Sequence, residues 1–228
     1  MPDQRLELLD YETETCEEVR GETLDIYLQS GWFRMGSVMH ITRTVQTATA
    51  VLPVVWLRYD VPKVVLSSSN RKLIRKNSKF SITIGPYRVT QPLLELYFKY
   101  YVSIPFEIFP FLDDAVNEKG KRIFESYVIQ IYDGEKLIAA GHIDKGKDSV
   151  AAIKNFYDPE YKKYSPGKFL MLLTYLYCLK NGIRWFYPGY VIPGYPKFDY
   201  KLFMAKDATE LYSIEDNEWL KYSDLHLT

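Results

Sequence analysis

The sequence holds few of the residues that build metal sites and disulfide frameworks: two cysteines, Cys16 and Cys178, and three histidines in 228 residues. The cysteines lie far apart with no paired spacing, so neither a disulfide framework nor a cysteine metal cluster is available, though a lone thiol nucleophile stays open. Long apolar runs are missing too. The longest, Ala50–Leu57 and Phe169–Leu173, fall well short of the roughly 18 residues a membrane span needs, and the opening Met-Pro-Asp-Gln-Arg has no signal-peptide apolar core. The expectation is a soluble, cytoplasmic chain with no membrane partner and no bound metal. Net charge is absent as well, 29 Lys and Arg against 29 Asp and Glu, which taken alone argues against a polyanionic partner. Apolar material is plentiful: at 47% it suffices for a sizeable core, which excludes disordered and fibrous architectures and suits one large domain or two small ones.

The neutral total hides charge segregated into blocks. Met1 to Asp25 carries nine acids against two bases. Val61 to Leu94 carries no acid at all and seven bases, Lys63, Arg71, Lys72, Arg75, Lys76, Lys79 and Arg88. Lys154 to Lys201 adds eight bases against three acids, and Asp207 to Thr228 six acids against one base. A local positive field of this kind can hold phosphates on a molecule that is neutral overall.

No repeat or low-complexity tract divides the chain. Glu22–Ser30 reads as a short helix stopped by Gly31, and Ser37–Arg43 and Val51–Leu57 as strands. Ser68–Lys79 reads as a basic amphipathic helix with Leu73 and Ile74 inward. Phe80–Ile84 alternates, Gly85-Pro86 predicts a turn, and Gln91–Val102 an aromatic-rich helix that stops before Pro105. Phe124–Tyr132 and Lys136–Ile143 alternate around an expected Asp133-Gly134 hairpin turn, and Ser149–Phe156 follows as a third strand. Lys168–Lys180 is a long helix begun at Ser165-Pro166-Gly167 and stopped by Asn181-Gly182, and Arg184–Tyr187 returns as a strand. Antiparallel hairpins, one helix, then a returning strand is the order of an N-acyltransferase (GNAT-like) fold. The prediction is therefore α+β, a mixed central sheet flanked by helices, with residues 1–66 as a small N-terminal α/β extension and 67–228 as the acyltransferase domain, the two open to forming one continuous unit.

Three segments could carry chemistry. Arg71, Lys72, Arg75 and Lys76 lie within two helical turns and can contact phosphates without reading sequence, although a solvated helix face would show the same pattern. Asn155-Phe156-Tyr157-Asp158-Pro159 followed by Ser165-Pro166-Gly167 places a glycine at a helix start, where backbone N–H groups can approach an anion or an oxyanion; an ordinary capped turn would read alike. Tyr187 to Lys201 is the densest. Two Pro-Gly pairs are expected to hold its backbone out of regular pairing, while four tyrosines and two lysines supply stacking faces, hydroxyls and charge for a nucleotide end, or else cover a sheet edge.

Taken together these segments resemble a known family. Asn70-Arg71-Lys72-Leu73-Ile74-Arg75-Lys76-Asn77 is similar to a Ser/Gln-x-Arg-x-Leu-Arg-Arg-Asn segment, and Phe156-Tyr157-Asp158-Pro159 with Ser165-x-Gly167 to a Phe-Tyr-Asp-Pro…Ser-Leu-Gly segment. Gly189-Tyr190-x-Ile192-x-Gly194…Lys197-x-x-Tyr200-Lys201 resembles the Gly-Tyr-x-Ile-x-Gly…Lys-x-x-Tyr-Lys signature of the N-end-rule aminoacyl-tRNA-protein transferases, the arginyltransferases and their bacterial leucyl relatives. The resemblance runs from about Leu8 to Met204. It implies transfer of leucine or arginine from charged tRNA to the N-terminal amine of an acceptor protein, commonly one beginning with Asp or Glu, as a tag for degradation. Aminoacyl-tRNA would be a co-substrate, with no further cofactor. One departure stands out: the family's cysteine cluster falls on Ile41 to Ala50, which has no cysteine, and Tyr195 stands where many relatives have Cys.

On that resemblance Arg71, Lys72, Arg75 and Lys76 would hold the acceptor stem. Phe156, Tyr157, Ser165, Gly167, Gly189, Tyr190, Lys197, Tyr200 and Lys201 would hold the aminoacyl-adenosine end, with backbone N–H groups near Phe156 or Gly167 facing the oxyanion. Asp144, with His142 as second choice, is expected to receive or orient the incoming amine, and Tyr190 is the third catalytic candidate. An acyl-CoA-dependent N-acetyltransferase and a catalytically silent binder of tRNA or protein N-termini remain open alternatives.

Overall fold

Alternating apolar residues form two sheets among the residues that this computed structural model describes, which are 7–47, 49–104, 112 and 122–222. The small sheet is antiparallel: β3 (Val38–Gln46) lies between β1 (Glu7–Thr15) and β2 (Phe33–Met35), with β4 (Val51–Pro53) also on β3. The acid-rich start of the chain forms β1, whose side chains are almost all exposed. Helix α1 (Glu22–Gln29) ends where Gly31 takes φ 77, and a side chain there would strike the ring of Tyr212.

Val54 breaks the expected single strand over Val51–Leu57. Its N–H still bonds Arg43 of β3, and the chain then enters the large sheet as β5 (Val55–Asp60). That sheet has the order β12-β11-β5-β10-β9-β8-β7-β6, built from β6 (Ser81–Pro86), β7 (Ser126–Asp133), β8 (Lys136–Lys145), β9 (Ser149–Tyr157), β10 (Trp185–Val191), β11 (Thr209–Ser213) and β12 (Glu218–Lys221). β9 and β10 run parallel and the other pairs antiparallel, so the fold is α+β around a mixed sheet, as expected. A division at residue 66 crosses this sheet, because β5 lies between β10 and β11.

Successive residues of β9 point to opposite faces of the sheet. Val150 joins a core with α2 (Ser68–Asn77) and α4 (Pro166–Lys180), whereas Ala151 faces α1 and the small sheet. α3 (Gln91–Ser103) covers the remaining area through Leu93, Leu96 and Tyr97 against Val128, Ala140 and Phe156. α4 is apolar nearly all round, and Phe169, Leu170, Met171 and Leu172 are buried in succession, which suits a helix embedded between sheet and α2. Each such side chain contributes about 1.5–3 kcal/mol through burial.

Three local expectations shift. Gly85-Pro86 does not turn; it pairs with Val128 and Tyr127, and Pro86 is tolerated because β6 is the sheet's edge. The β7–β8 hairpin turns on Gly134-Glu135, with Gly134 at φ 60 and Asp133 still paired with Lys136. The basic helix ends at Asn77, two residues early.

Candidate functional site

β9 and β10 pair only from Trp185↔Ser149 to Tyr187↔Ala151. Beyond that, β10 keeps β5 as its partner and β9 keeps β8, so the two strands part. Pro188-Gly189 sits at the parting. It stays inside β10, contrary to the expectation of an unpaired loop, and marks a register break against β5 between Phe186 and Gly189. A second irregularity between His142 and Ile143 puts an extra residue of β9 opposite the same region. The result is a cleft with backbone N–H and C=O groups along its β9 wall.

Most of the residues singled out from the sequence meet here. Tyr157 ends β9, with its ring 3.8 Å from where a side chain at Gly167 would begin, so the start of α4 closes one side. Pro166 has no N–H, and the next N–H groups of the first turn, from Gly167 and Lys168, have no acceptor within the helix. Ser165 contributes through its backbone: it takes the left-handed conformation, φ 53, and its side chain makes no capping bond.

Gly189 has φ 99, and a side chain there would begin 3.2 Å from Lys201 Nζ. The glycine thus supplies both the conformation and the room for Lys201, whose ammonium donates to the Tyr190 carbonyl at 2.7 Å and lies over the rings of Tyr190 and Phe198. The Tyr59 hydroxyl donates to the carbonyl of Lys201, fixing the 3-10 helix Pro196–Leu202. The side chain of Lys197, in the same helix, lies outside the described residues.

α3 brings aromatics that the sequence reading did not place in the site. Tyr97 meets Phe156 edge-on at 5.2 Å, and Tyr100 lies 5.3 Å from Tyr157. The phenol of Tyr200 is desolvated at the cleft mouth although 38% of the residue's surface is exposed. That desolvation, with Tyr190 and Tyr157 adding to it, pushes the phenol up to about 12. Burial raises Tyr190 too, and raises Tyr100 with smaller additions from Tyr200, Tyr157 and Tyr97. These phenols are therefore protonated donors at neutral pH. Behind them Trp56 of β5 packs against Tyr190, Phe33 and His40 at 5.1–5.5 Å, so the small sheet buttresses the cleft.

Asp158 of the Phe-Tyr-Asp-Pro segment shapes the site from below. It is 1% exposed, accepts from the Glu160 N–H at 3.1 Å, and pairs with Lys136 at 2.9 Å and Lys99 at 3.4 Å. Burial opposes its ionisation, but the Lys136 and Glu160 hydrogen bonds outweigh that and hold the carboxyl below its usual value. It caps the 3-10 helix Pro159–Tyr164 and ties α3 to the chain leading into α4.

Asp144 and His142 are corrected. Both are 0% exposed and lie within β8. Asp144 accepts from Arg34 of β2 at 2.9 and 3.0 Å and from Ser126 at 2.5 Å. Burial works against its charge, and Arg34, His142 and Ser126 together overcome it, leaving the carboxyl below its ordinary value. His142 stacks on Tyr87 at 4.3 Å, and burial lowers its pKa. In this arrangement both side chains are enclosed in the packing between the sheets, and the contacts they make are structural.

The basic helix α2 stands beside the start of α4. Its two asparagines face inward: Asn70 donates to Met204 O at 2.8 Å, and Asn77 to Tyr164 O at 3.1 Å. Arg71, Lys72, Arg75 and Lys76 are exposed, with Arg71 donating to Leu66 O and Lys76 to Lys163 O. Ile41 to Gln46, part of the stretch where the resemblance would put a cysteine cluster, lies in β3. The two cysteines present lie elsewhere: Cys16 donates to the Tyr27 hydroxyl at 3.3 Å, and Cys178 is buried in α4. No helix among the described residues is long and apolar enough to cross a membrane.

Comparison with known proteins places this architecture. The family model for the C terminus of arginine-tRNA-protein transferases matches residues 89–208, a little over half of the chain and the part that builds most of the cleft. The aspartate/glutamate leucyltransferase of Leptospira interrogans is 25% identical over 222 residues, covering 91% of this chain and 82% of that protein. Its counterpart in Vibrio vulnificus is 24% identical over 188 residues, covering 79% and 77%. Among solved structures, L-PGS from Bacillus licheniformis overlaps with a TM-score of 0.45 at 10% identity, over 76% of this chain and 51% of that one. On the strength of the family match, the chain belongs to the arginine-tRNA-protein transferase family and is an aminoacyltransferase that draws on charged tRNA.

Proposed function

We propose that this enzyme moves leucine from leucyl-tRNA to the α-amine of proteins that begin with Asp or Glu, with the β9–β10 cleft as its active site. The observation that carries the site is the meeting of Tyr157, Gly167, Gly189, Tyr190, Tyr200 and Lys201, distant in sequence, around one opening in the sheet. The donor and acceptor classes rest on the relatives named aspartate/glutamate leucyltransferase.

The ester of aminoacyl-tRNA is already activated, so the chemistry asks little of the protein. The amine nitrogen attacks the ester carbonyl carbon, the bond to the ribose oxygen breaks, and the amine's proton passes to that oxygen. With an α-amine pKa of about 8, part of the acceptor is neutral at physiological pH and needs orientation more than a strong base. Backbone N–H groups of the β9 wall and of Gly167 face the developing oxyanion. Tyr190 and Tyr200, kept protonated by their surroundings, are the donors for the ribose oxygen or for the terminal nucleotide. Lys201 pulls the Tyr190 backbone and ring into place from beneath. The exposed cations of α2 hold the acceptor stem.

Purified protein mixed with labelled leucyl-tRNA or arginyl-tRNA and peptides beginning with Asp, Glu or Lys tests this directly. Label from leucyl-tRNA on the Asp and Glu peptides alone supports the reading. Label from arginyl-tRNA alone, or on the Lys peptide, moves it to another donor or acceptor.

A further inference from the structure

The cluster around Tyr164 extends beyond the basic helix, and its Lys79, Lys163 and Tyr164 have none of the roles above. Tyr164 is the last residue of the 3-10 helix before α4, and its ring has three ammonium groups around it: Lys79 at 4.7 Å, Lys163 at 5.3 Å and Lys76 at 5.7 Å. The cluster is built, not incidental. Lys79 donates to the Tyr164 hydroxyl at 3.1 Å, Lys76 donates to the Lys163 carbonyl, and Asn77 ties the Tyr164 carbonyl to α2. Phe80 and Tyr161 pack against the same ring at 5.1 and 6.1 Å and set its plane.

Three like charges held so close repel one another unless an anion joins them. Carboxylates answer this charge only in part: Asp133, which accepts from the Tyr161 hydroxyl at 3.0 Å, attracts Lys79, while Glu160 pairs with Lys136 at 3.0 Å. Lys76, Lys79, Lys162 and Lys163 are all exposed. The ring immediately precedes Ser165 and the first turn of α4, the helix start that closes one side of the cleft, and so lies beside the positive end of a 15-residue helix.

We propose that Lys79 and Lys163, positioned by the ring and hydroxyl of Tyr164, grip backbone phosphates of the tRNA where the acceptor strand turns from the stem into the cleft. This rests on the reading of the enzyme as tRNA-dependent and adds a second phosphate contact to the α2 face, fixing how the 3′ end is aimed. The partner is an RNA backbone because the cluster lies next to the start of α4 and offers positive charge and a ring face, which suit phosphates and bases.

The test is tRNA affinity measured as a function of salt for the wild type, for Lys79→Gln with Lys163→Gln, and for Lys180→Gln as a control. Lys180 lies at the far end of α4, about 20 Å away at 1.5 Å per residue. Two lost phosphate contacts lower the slope of log K against log salt by about 1.5. The control leaves the slope unchanged, and Lys79→Arg with Lys163→Arg restores it. Thermal melting shows that each variant is folded. A wild-type slope in the folded glutamine variant overturns the phosphate site while leaving the transfer reading intact. A wild type that takes up no tRNA overturns both.

Discussion

Arg34 of β2 and Asp144 of β8 form an ion pair at 2.9 Å, with side chains 1% and 0% exposed, that pins the small sheet to the large one. Arg34 also donates to the Gly36 carbonyl and Ser126 hydroxyl and lies 4.0 Å over Phe124. Removing one partner leaves the other charge buried and unpaired, so Arg34→Ala or Asp144→Ala is expected to cost about 3–5 kcal/mol in a denaturant titration. Asp144→Asn is the sharper probe of its role: if the carboxylate only pins the sheets, leucine transfer by the folded fraction is retained.

Two buried histidines set a pH dependence. Burial, opposed by an Nδ1 bond to the Phe33 carbonyl, lowers His40 to about 4, and burial lowers His142 as well. Unfolded histidine takes a proton near 6.5, so between that pH and about 4 the unfolded chain binds more protons than the folded one. Stability is therefore full above pH 6.5 and falls as pH drops through this window, by ~3 kcal/mol for His40 alone. The carboxylates of Asp144 and Asp158, lowered in the folded state, lose their contribution only further down, below about 3.9. Denaturation at pH 7.5, 6.5, 5.5 and 4.5 should show the fall, and His40→Gln should flatten it.

Gly189→Ala puts a side chain at φ 99 and within 3.2 Å of Lys201 Nζ. The strained backbone costs about 1–3 kcal/mol of stability. Displaced Lys201 is expected to lower kcat for transfer. A double-mutant cycle with Lys201→Ala checks the connection, because the two losses should fall well short of adding.

Lys72→Gln with Arg75→Gln removes two exposed charges from α2 and leaves its inward asparagines untouched. Weaker hold on the acceptor stem should raise KM for charged tRNA severalfold with kcat little changed, and the defect should shrink in high salt, where the wild type weakens too.

The helices and the β7–β8–β9 run were legible because each is a local run of apolar or alternating residues bounded by a cap, glycine or proline. What was hidden depended on partners far away in the chain. β11 and β12 read as nothing in particular until β5 offers an edge, and the break at Val54 reflects a change of sheet that no local pattern records. At the site, the glycine, lysine and tyrosine of Gly189, Lys201 and Tyr200 were visible as a motif. Tyr97 and Tyr100 looked only like members of an aromatic-rich helix, because their use is set by where α3 lands on the sheet. Asp144 misled for the same reason: near a strand end in sequence it looks available, and only the arrival of Arg34, 110 positions away, shows that it is occupied.

Transfer of an amino acid from tRNA to a protein N-terminus in the cleft between β9 and β10 can be observed in a single turnover. Single-turnover transfer of labelled leucine from leucyl-tRNA to an Asp-initiated peptide, with wild type and Lys201→Ala side by side, tests it most directly. Label in peptide linkage is expected with the wild type, and a loss of at least tenfold with the folded variant. Equal transfer by the two would contradict the placement of the site, and no transfer from leucyl-tRNA by the wild type would contradict the proposed activity.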